Sequence, residues 1–192
     1  MFSVIFPGQG SQLVGMGKDL HTKYSLVQDL FKEADDTLGF SLSNLILNGP
    51  KEELDLTENT QPAIFLLSYS IFKLIKDEFK IDLDKAKFYA GHSLGEYSAL
   101  TAAGSLSFSD TLKILKIRGN AMQNSVPKGV GGMVAVLGSE IEIIKKIIDK
   151  GLAYEVNGSV YFDVIKYKLK PNSVELSSLV ETRNAVEILT IC

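Results

Sequence analysis

A serine between two glycines carries the clearest signal for chemistry in this chain. Residues 91–95 form a Gly-x-Ser-x-Gly motif centred on Ser93, and such a motif supports catalysis where a strand leads into it and a helix leads out. The apolar residues 88–90 predict the strand, and residues 96–103, closed by Gly104, predict the helix. Together they predict a nucleophile elbow with Ser93 at its tip.

The glycines at the two ends of the motif have a steric purpose in this interpretation. Gly91 and Gly95 let the strand and the helix pass close to each other while Ser93 takes a strained backbone conformation. The helix would then direct its first N–H groups and the positive end of its dipole towards the serine oxygen. The alternative is a Gly/Ser-rich turn without chemistry, since so short a motif also occurs by chance. The flanking elements favour catalysis.

A second glycine-rich loop follows the apolar residues 2–6, which predict a buried parallel strand ended by Pro7. Residues 8–17 contain four glycines, so the backbone there must approach another group closely. A dinucleotide-binding fingerprint is disfavoured, because the glycine spacing differs and no apolar helix follows at once. The alternative is that this loop faces the elbow, since both leave the carboxyl end of a strand.

Composition excludes several classes of function. The chain has 192 residues, enough for one domain or for one domain and part of another. Its net charge of −3 gives no electrostatic case for binding nucleic acid or an anionic membrane. Cys192 is the only cysteine, which excludes a disulfide framework and a cysteine metal site. With neither a signal peptide nor an apolar span in the pattern, we expect a cytoplasmic protein.

Helical periodicity predicts the elements that position the two loops. The predicted helices cover residues 25–38, 41–47, 62–78 and 109–124, with Pro62 first in the third helix and Ser109 as cap of the fourth. Residues 51–60 are polar and acidic and are expected to form a surface turn of helix and loop. The apolar residues expected to be buried are Leu26, Leu30, Ala34 and Leu38, then Ile64, Leu67, Ile71, Leu74 and Ile75, and finally Leu112, Leu115 and Met122.

Glycines near residue 129 predict a crossing into a second, smaller unit. A strand at 133–137, a helix that begins with a capping box at 139–142 and a strand at 152–156 give it a β-α-β order. Beyond these elements, residues 160–169 are a candidate edge strand, and the rest has no clean period. We predict an α/β protein, with a large unit at 1–128 and a partial small unit at 129–192.

Several segments together resemble the acyltransferase family of fatty-acid and polyketide synthesis, and within it the malonyl-CoA:acyl-carrier-protein transacylases. The similar segments are Pro-Gly-Gln-Gly-Ser-Gln at 7–12, Gly-His-Ser-Leu-Gly-Glu-Tyr at 91–97, Arg118-Gly119 with Met122-Gln123, and Asn-Thr-Gln-Pro-Ala at 59–63. The likeness covers residues 1–155 in the family's order. It implies an α/β-hydrolase-like large subdomain with a parallel sheet, and a ferredoxin-like small subdomain that begins near Gly129.

The resemblance also implies a role for individual residues. Ser93 matches the nucleophile, which would carry a malonyl ester between malonyl-CoA and the phosphopantetheine thiol of an acyl carrier protein. The backbone N–H groups of Gln9 and Leu94 match the oxyanion hole. Arg118, which would otherwise pass for a surface arginine, matches the partner of the malonyl carboxylate. His92 matches a supporting residue rather than the base, and neither a metal nor an organic cofactor is implied.

The chain departs from the family in its histidines. The family pairs its serine with a histidine well downstream of the elbow, whereas this chain has only His92 and His21, which we expect at the surface. The likeness fades after about residue 156, so we expect either a truncated or frameshifted product or a short homologue with another role. Loss of a catalytic base costs several orders of magnitude in rate. Open sheet edges would also favour aggregation.

Three functions remain open at this stage. The leading one is malonyl transfer to acyl carrier protein in fatty-acid biosynthesis, by a chain expected to be a monomer when folded. The alternative is a non-catalytic remnant, or a module that binds acyl carrier protein or CoA. A serine esterase is disfavoured, because that class uses a later acid and histidine and an HGGG-type oxyanion loop.

Overall fold

Two short parallel strands bring the two glycine-rich loops to one edge of a sheet. In the computed structural model, β1 (Ser3–Phe6) pairs with β2 (Phe88–Gly91), and their last residues, Phe6 and Gly91, lie opposite each other. The chain leaves β1 into the first loop and β2 into the turn at Ser93, both at the carboxyl end. The predicted proximity of the two loops is therefore confirmed.

The structure describes residues 1–125, 134–136, 141–156, 159–162 and 187–189, which belong to two units, 1–125 and 126–192. The helices of the first unit are α1 (Lys18–Lys23), α2 (Ser25–Leu38), α3 (Leu42–Asn48), α4 (Lys51–Leu54), α5 (Thr57–Asp77), α6 (Gly95–Ala102) and α7 (Phe108–Asn124). A 3-10 turn at Leu83–Lys85 precedes β2. In this described part, no helix has the length and apolarity needed to cross a membrane.

The second unit contains two antiparallel strand pairs and one helix within its described residues. They are β3 (Val134–Val136), α8 (Ile141–Asp149), β4 (Ala153–Val156), β5 (Ser159–Phe162) and β6 (Glu187–Leu189), with β3 paired to β6 and β4 to β5. The predicted β-α-β order is confirmed, whereas β6 was not predicted. Ser139 and the glycines at 129–132 lie outside the described residues, and the boundary at 129 stays a prediction.

The main core of the first unit lies where α5 packs against α2 and α7. Its fully buried side chains include Val27, Phe31, Phe65, Leu66, Leu112 and Leu115. A second cluster joins β1 and the residues before β2 to α5 and α6, through Phe6, Phe72, Leu83 and Ala99. The two clusters hold the strands against the helix layer, and so position the loops that follow β1 and β2.

The buried face of α2 differs from the prediction by a rotation of one residue. Val27 and Phe31 are fully buried together with Ala34, whereas the predicted Leu26 and Leu30 are only partly buried. Adjacent residues of an amphipathic helix can both fit a 3.6-residue period, so the period alone does not choose between them. In α5 the same ambiguity leaves the predicted Ile71 38% exposed, while Phe65 and Phe72 are buried.

The start of α5 was predicted wrongly. The helix begins at Thr57, so Pro62 lies inside it and residues 57–60 are helical. Side chains of this first turn bond the backbone before it: Thr60 donates to the carbonyl of Leu54, and Asn59 donates to that of Glu53. Proline usually occupies the first position of a helix, because its missing N–H is not needed there. Here the side-chain hydrogen bonds of Asn59 and Thr60 accompany a helix that begins five residues before Pro62.

The cap of α7 is Ser107 rather than the predicted Ser109. The Ser107 Oγ accepts from the N–H of Asp110 at 3.1 Å and donates to the Asp110 carboxylate at 2.7 Å. The side-chain oxygen of an N-cap residue accepts a hydrogen bond from the N–H three residues later, and an acidic residue at that third position strengthens the cap. Ser107 has such an acid at the required distance, and this signal was present in the sequence.

Within the described residues, neither outer edge of the sheet formed by β1 and β2 has a further strand paired to it. Among the described strands, β1 pairs only with β2, and Ile5 and Phe88 on these strands are 75% and 60% exposed. An apolar groove of about 490 Å³ runs between β1 and α5 and is lined in part by Ile5, Leu67 and Ile71. Open strand edges with apolar side chains are sites of edge-to-edge pairing.

We therefore expect the chain to self-associate through its strand edges, and Ile5→Lys to reduce that association. A charged side chain on an edge strand opposes the pairing of two such edges. Light scattering over a range of protein concentrations measures the effect. Ile117→Lys is the matched control, since Ile117 is 68% exposed but lies on α7. An equal reduction by both variants would contradict pairing through β1.

Candidate active site

Ser93 lies at the tip of the turn in a left-handed backbone conformation. Its φ is 54°, a region that costs a residue with a side chain about 1–2 kcal/mol. β2 ends at Gly91 and α6 begins at Gly95, so the serine lies between strand and helix on an exposed turn. The predicted elbow and its strained serine are confirmed.

Three glycines allow the chain segments to cross at this point. A Cβ at Gly91 would lie 1.9 Å from the carbonyl carbon of Gly95, and a Cβ at Gly95 would lie 2.5 Å from the carbonyl oxygen of Phe6. Gly8 in the first loop faces His92 in the same way, with 2.4 Å between its hypothetical Cβ and Nδ1. The tight crossing predicted for Gly91 and Gly95 is confirmed, and it includes Gly8.

Arg118 lies beside the serine although the two residues are far apart in sequence. Its Nη2 donates to the Ser93 Oγ at 3.2 Å, and its Nη1 donates to the Gln61 Oε1 at 2.5 Å. The guanidinium carbon lies 5.8 Å from the ring centre of Tyr97, so the cation covers an aromatic face. Arg118 is half-buried, and the interpretation as a surface arginine is wrong.

The predicted oxyanion donors lie in the two loops that meet at the elbow. Among the described residues, no acceptor takes the backbone N–H of either Gln9 or Leu94, and Leu94 is fully buried. A buried donor without an acceptor costs about 1–3 kcal/mol, which a ligand oxygen can recover. The arrangement fits an oxyanion hole, and the role of both residues stays a prediction.

Residues 3–161 match the family model described as the acyl transferase domain. The chain belongs to the acyl transferase family. Because this match includes the first loop, the elbow and Arg118, the acyl transferase pattern covers all the residues brought together around Ser93. The resemblance predicted from the motifs is confirmed.

Relatives within the acyl transferases are similar over most of this chain. A malonyl CoA-acyl carrier protein transacylase of Haemophilus influenzae is 45% identical over 162 residues, 84% of this chain and 51% of that protein. A crystal structure of an acyl-carrier-protein-S-malonyltransferase from Bartonella henselae is 36% identical with a TM-score of 0.76, covering 99% of this chain and 63% of that one.

A second similar structure is a malonyl-transacylase solved in complex with its type II PKS acyl carrier protein. It is 40% identical with a TM-score of 0.70, over 78% of this chain and 47% of that one. The likeness to solved malonyltransferases confirms the predicted α/β fold class. The chain spans about half the length of the curated relatives it matches.

The first loop of this acyl transferase is braced by its own polar side chains. The Ser11 Oγ donates to the carbonyl of Gly8, and the Gln12 Oε1 accepts from the N–H of Gly10. The Gln12 Nε2 in turn donates to the Asp55 carboxylate at 2.9 Å. This hydrogen bond, and a second one from Lys51, hold the pKa of the Asp55 carboxyl below its ordinary value. The ionised Asp55 therefore anchors the loop at neutral pH.

Neither histidine of the chain hydrogen-bonds the Ser93 hydroxyl. The ring of His92 lies against Gly8, in agreement with the prediction that it is not the base. His21 lies in α1, partly exposed, with its ring 5.1 Å from that of Phe31. Within the described part of the chain, Arg118 is the side chain bonded to Ser93, and a guanidinium has no lone pair with which to accept a proton.

Sequence reasoning missed two residues that hold Arg118. Tyr97 and Gln61 both lie in segments that resemble the family, but neither was given a role. The sequence carries a signal for Gln61, because this polar residue stands directly before the apolar residues of a predicted helix. A polar side chain that is buried at such a position needs a hydrogen-bond partner. Gln61 is in fact fully buried.

Proposed function

We propose that this chain transfers a malonyl group from malonyl-CoA to the phosphopantetheine thiol of an acyl carrier protein, by way of an ester on Ser93. The observation that carries the proposal is the 3.2 Å hydrogen bond between Arg118 and the Ser93 Oγ. A planar and permanently charged group beside the nucleophile suits an acyl chain that ends in a free carboxylate. Relatives named as malonyl transacylases support the same substrate class.

The proposed reaction has two balanced steps. The Ser93 oxygen attacks the thioester carbonyl, a C–O bond forms, the C–S bond breaks and the CoA thiol leaves with the proton. The carrier thiol then attacks the ester and restores the serine hydroxyl. In both steps the N–H groups of Gln9 and Leu94 would hold the oxyanion, with support from the N-terminal end of α6. These groups supply the chemistry without a metal or an organic cofactor.

Water takes the proton of Ser93 in this proposal and passes it to the departing CoA thiolate. The positive charge of Arg118 favours the alkoxide, which partly compensates for the lack of a histidine base. We expect acylation to be slow, since a missing base costs several orders of magnitude. The similar structure solved with an acyl carrier protein supports such a carrier as the acceptor. Because donor and acceptor are both water-soluble, we place the reaction in the cytoplasm.

A non-catalytic function is the second candidate. It is favoured by one observation, that the partner of the Ser93 hydroxyl in the described structure is a cation that cannot take its proton. In that case the chain would bind malonyl-CoA or the carrier without transferring the acyl group. A serine esterase has no comparable support, because a hydrolase has no need of the carboxylate partner beside its nucleophile.

The experiment that tests the proposal compares malonyl-CoA with acetyl-CoA. Intact-mass spectrometry over a time course long enough for slow acylation should show one malonyl group on the protein, formed about tenfold or more faster than an acetyl group, because hydrogen bonds to charged groups contribute about 1.5–3 kcal/mol. Arg118→Ala should remove most of this preference, because it should lower the malonyl rate more than the acetyl rate, which loses only the support that the guanidinium gives to the serine alkoxide. A folded protein that binds malonyl-CoA and forms no adduct would favour the second candidate.

A further inference from the structure

Gln61 is an unusual residue for the place it occupies. It is fully buried in α5, among apolar neighbours such as Phe65 and Ile64. Its Oε1 accepts from the Nη1 of Arg118 at 2.5 Å, and its Nε2 donates to the Met122 Sδ at 3.3 Å. An unpaired amide at such a position would be destabilising. Gln61 is tolerated there because both of its polar atoms have a partner on α7.

The helices α5 and α7 approach each other closely next to these residues. A Cβ at Gly119, the neighbour of Arg118, would lie 2.6 Å from the Cα of Glu58. This close backbone contact restricts sliding of one helix along the other, and so determines which side chains of α5 lie opposite those of α7. Gln61 and Arg118 are thus held at a constant separation by rigid elements rather than by a loop.

Two further hydrogen bonds join the same helices on either side of this contact. The Lys116 Nζ donates to the Asn59 Oδ1 at 2.9 Å, and the N–H of Thr57 donates to the Gln123 Oε1 at 3.2 Å. Together with the two hydrogen bonds of Gln61, to Arg118 and to Met122, they make four hydrogen bonds between α5 and α7. Only the pair of Gln61 and Arg118 extends to the nucleophile, because only Arg118 also bonds Ser93.

The bond from Gln61 determines which part of the guanidinium is available. With Nη1 held by Gln61, Nη2 is directed at the Ser93 Oγ, where an acyl group on the serine would lie. An unrestrained arginine loses side-chain rotamer entropy when it binds a carboxylate. Because Gln61 already holds the Nη1 of Arg118, part of this entropy is lost before the substrate binds.

We propose that Gln61 is a positioning residue that aims Arg118 at the acyl group on Ser93 and so favours acyl groups with a free carboxylate. This inference rests on the proposed function. The neutral amide matters, because it orients the guanidinium without cancelling its charge. A carboxylate at position 61 would hold Arg118 equally well but would compete with the carboxylate of the substrate.

The test measures the rates at which malonyl-CoA and acetyl-CoA acylate the protein, by intact mass. We expect Gln61→Leu and Gln61→Glu each to lower the ratio of malonyl to acetyl rate by about tenfold, the effect of one charge-assisted hydrogen bond. The acetyl rate should change less than about twofold. Lys116→Met is the matched control: it breaks the neighbouring contact between α5 and α7 and should keep the ratio unchanged.

A double variant separates positioning from general damage to the fold. In an Arg118→Ala background, Gln61→Leu should not lower the ratio further, because Gln61 acts through Arg118. An unchanged ratio in Gln61→Leu and Gln61→Glu, or an equal loss with and without Arg118, overturns the inference while the proposed function stands. A folded wild-type protein that forms no adduct from either thioester overturns the proposed function, and the inference with it.

Discussion

Replacing Ser93 with alanine should abolish the malonyl adduct. Ser93 carries the hydroxyl at the left-handed turn between β2 and α6, bonded to Arg118, and alanine takes away the oxygen that would carry the acyl group. Loss of a nucleophile lowers the rate by at least about 10³-fold in comparable sites. Intact-mass spectrometry of both proteins after the same exposure to malonyl-CoA measures the loss, and thermal melting should show that the variant is folded.

Ser98→Ala is the matched control for this prediction. Ser98 lies five residues after Ser93, inside α6, and its buried hydroxyl has no hydrogen-bond partner in the described structure. Its replacement should therefore keep the adduct and leave stability unchanged or higher. An adduct that persists in Ser93→Ala would show acylation elsewhere. Peptide mapping would then identify its position, with the thiol of Cys192 as the first candidate.

The elbow could be predicted because its physics is local. A strand, a small residue, a serine, another small residue and a helix are consecutive in sequence, and each imposes its conformation on the next. Gly91 and Gly95 were expected at a close crossing, and the hypothetical Cβ distances agree. The parallel pairing of β1 with β2 also followed from two apolar runs, each of which leads into a glycine-rich loop.

The surroundings of Arg118 could not be predicted from the residues alone. Arg118 lies 25 residues from Ser93 and 57 from Gln61, so both contacts depend on how α7 packs against α5 and α6. A helical period gives a face of the helix but not the neighbour against that face. The family resemblance supplied the role of Arg118, whereas the contact of Gln61 with Arg118 follows only from the packing of α5 against α7.

Helix ends were the least predictable local feature for a related reason. Pro62 was taken as the first residue of α5, but Thr60 and Asn59 bond the backbone before them and extend the helix to Thr57. Such bonds depend on where residues 53–54 lie, which is a matter of tertiary structure. The shift has a functional consequence, because the added turn carries Thr57, which bonds the side chain of Gln9 in the first loop.

Gly91→Ala should disrupt the elbow and greatly destabilise the first unit. The new Cβ would lie 1.9 Å from both the carbonyl carbon and the carbonyl oxygen of Gly95, and backbone atoms cannot move aside as a flexible side chain can. Inserting an atom into a well-packed region costs about 1–3 kcal/mol even where side chains can adjust, so we expect a larger loss here. Thermal melting measures it, with a decrease of about 2–4 °C for each kcal/mol in a chain of this size.

Gly104→Ala separates this clash from the general effect of adding a side chain to a glycine. Gly104 follows α6 with a φ of +77° and has nothing within 4 Å of its hypothetical Cβ, so alanine there costs only the backbone strain of about 1–2 kcal/mol. Gly91→Ala should melt well below Gly104→Ala, and its remaining folded fraction should form no malonyl adduct, because Ser93 can no longer lie between the two loops. Equal melting temperatures for the two variants would show that β2 and α6 can separate at little cost, and that the close crossing is not what holds the serine in place.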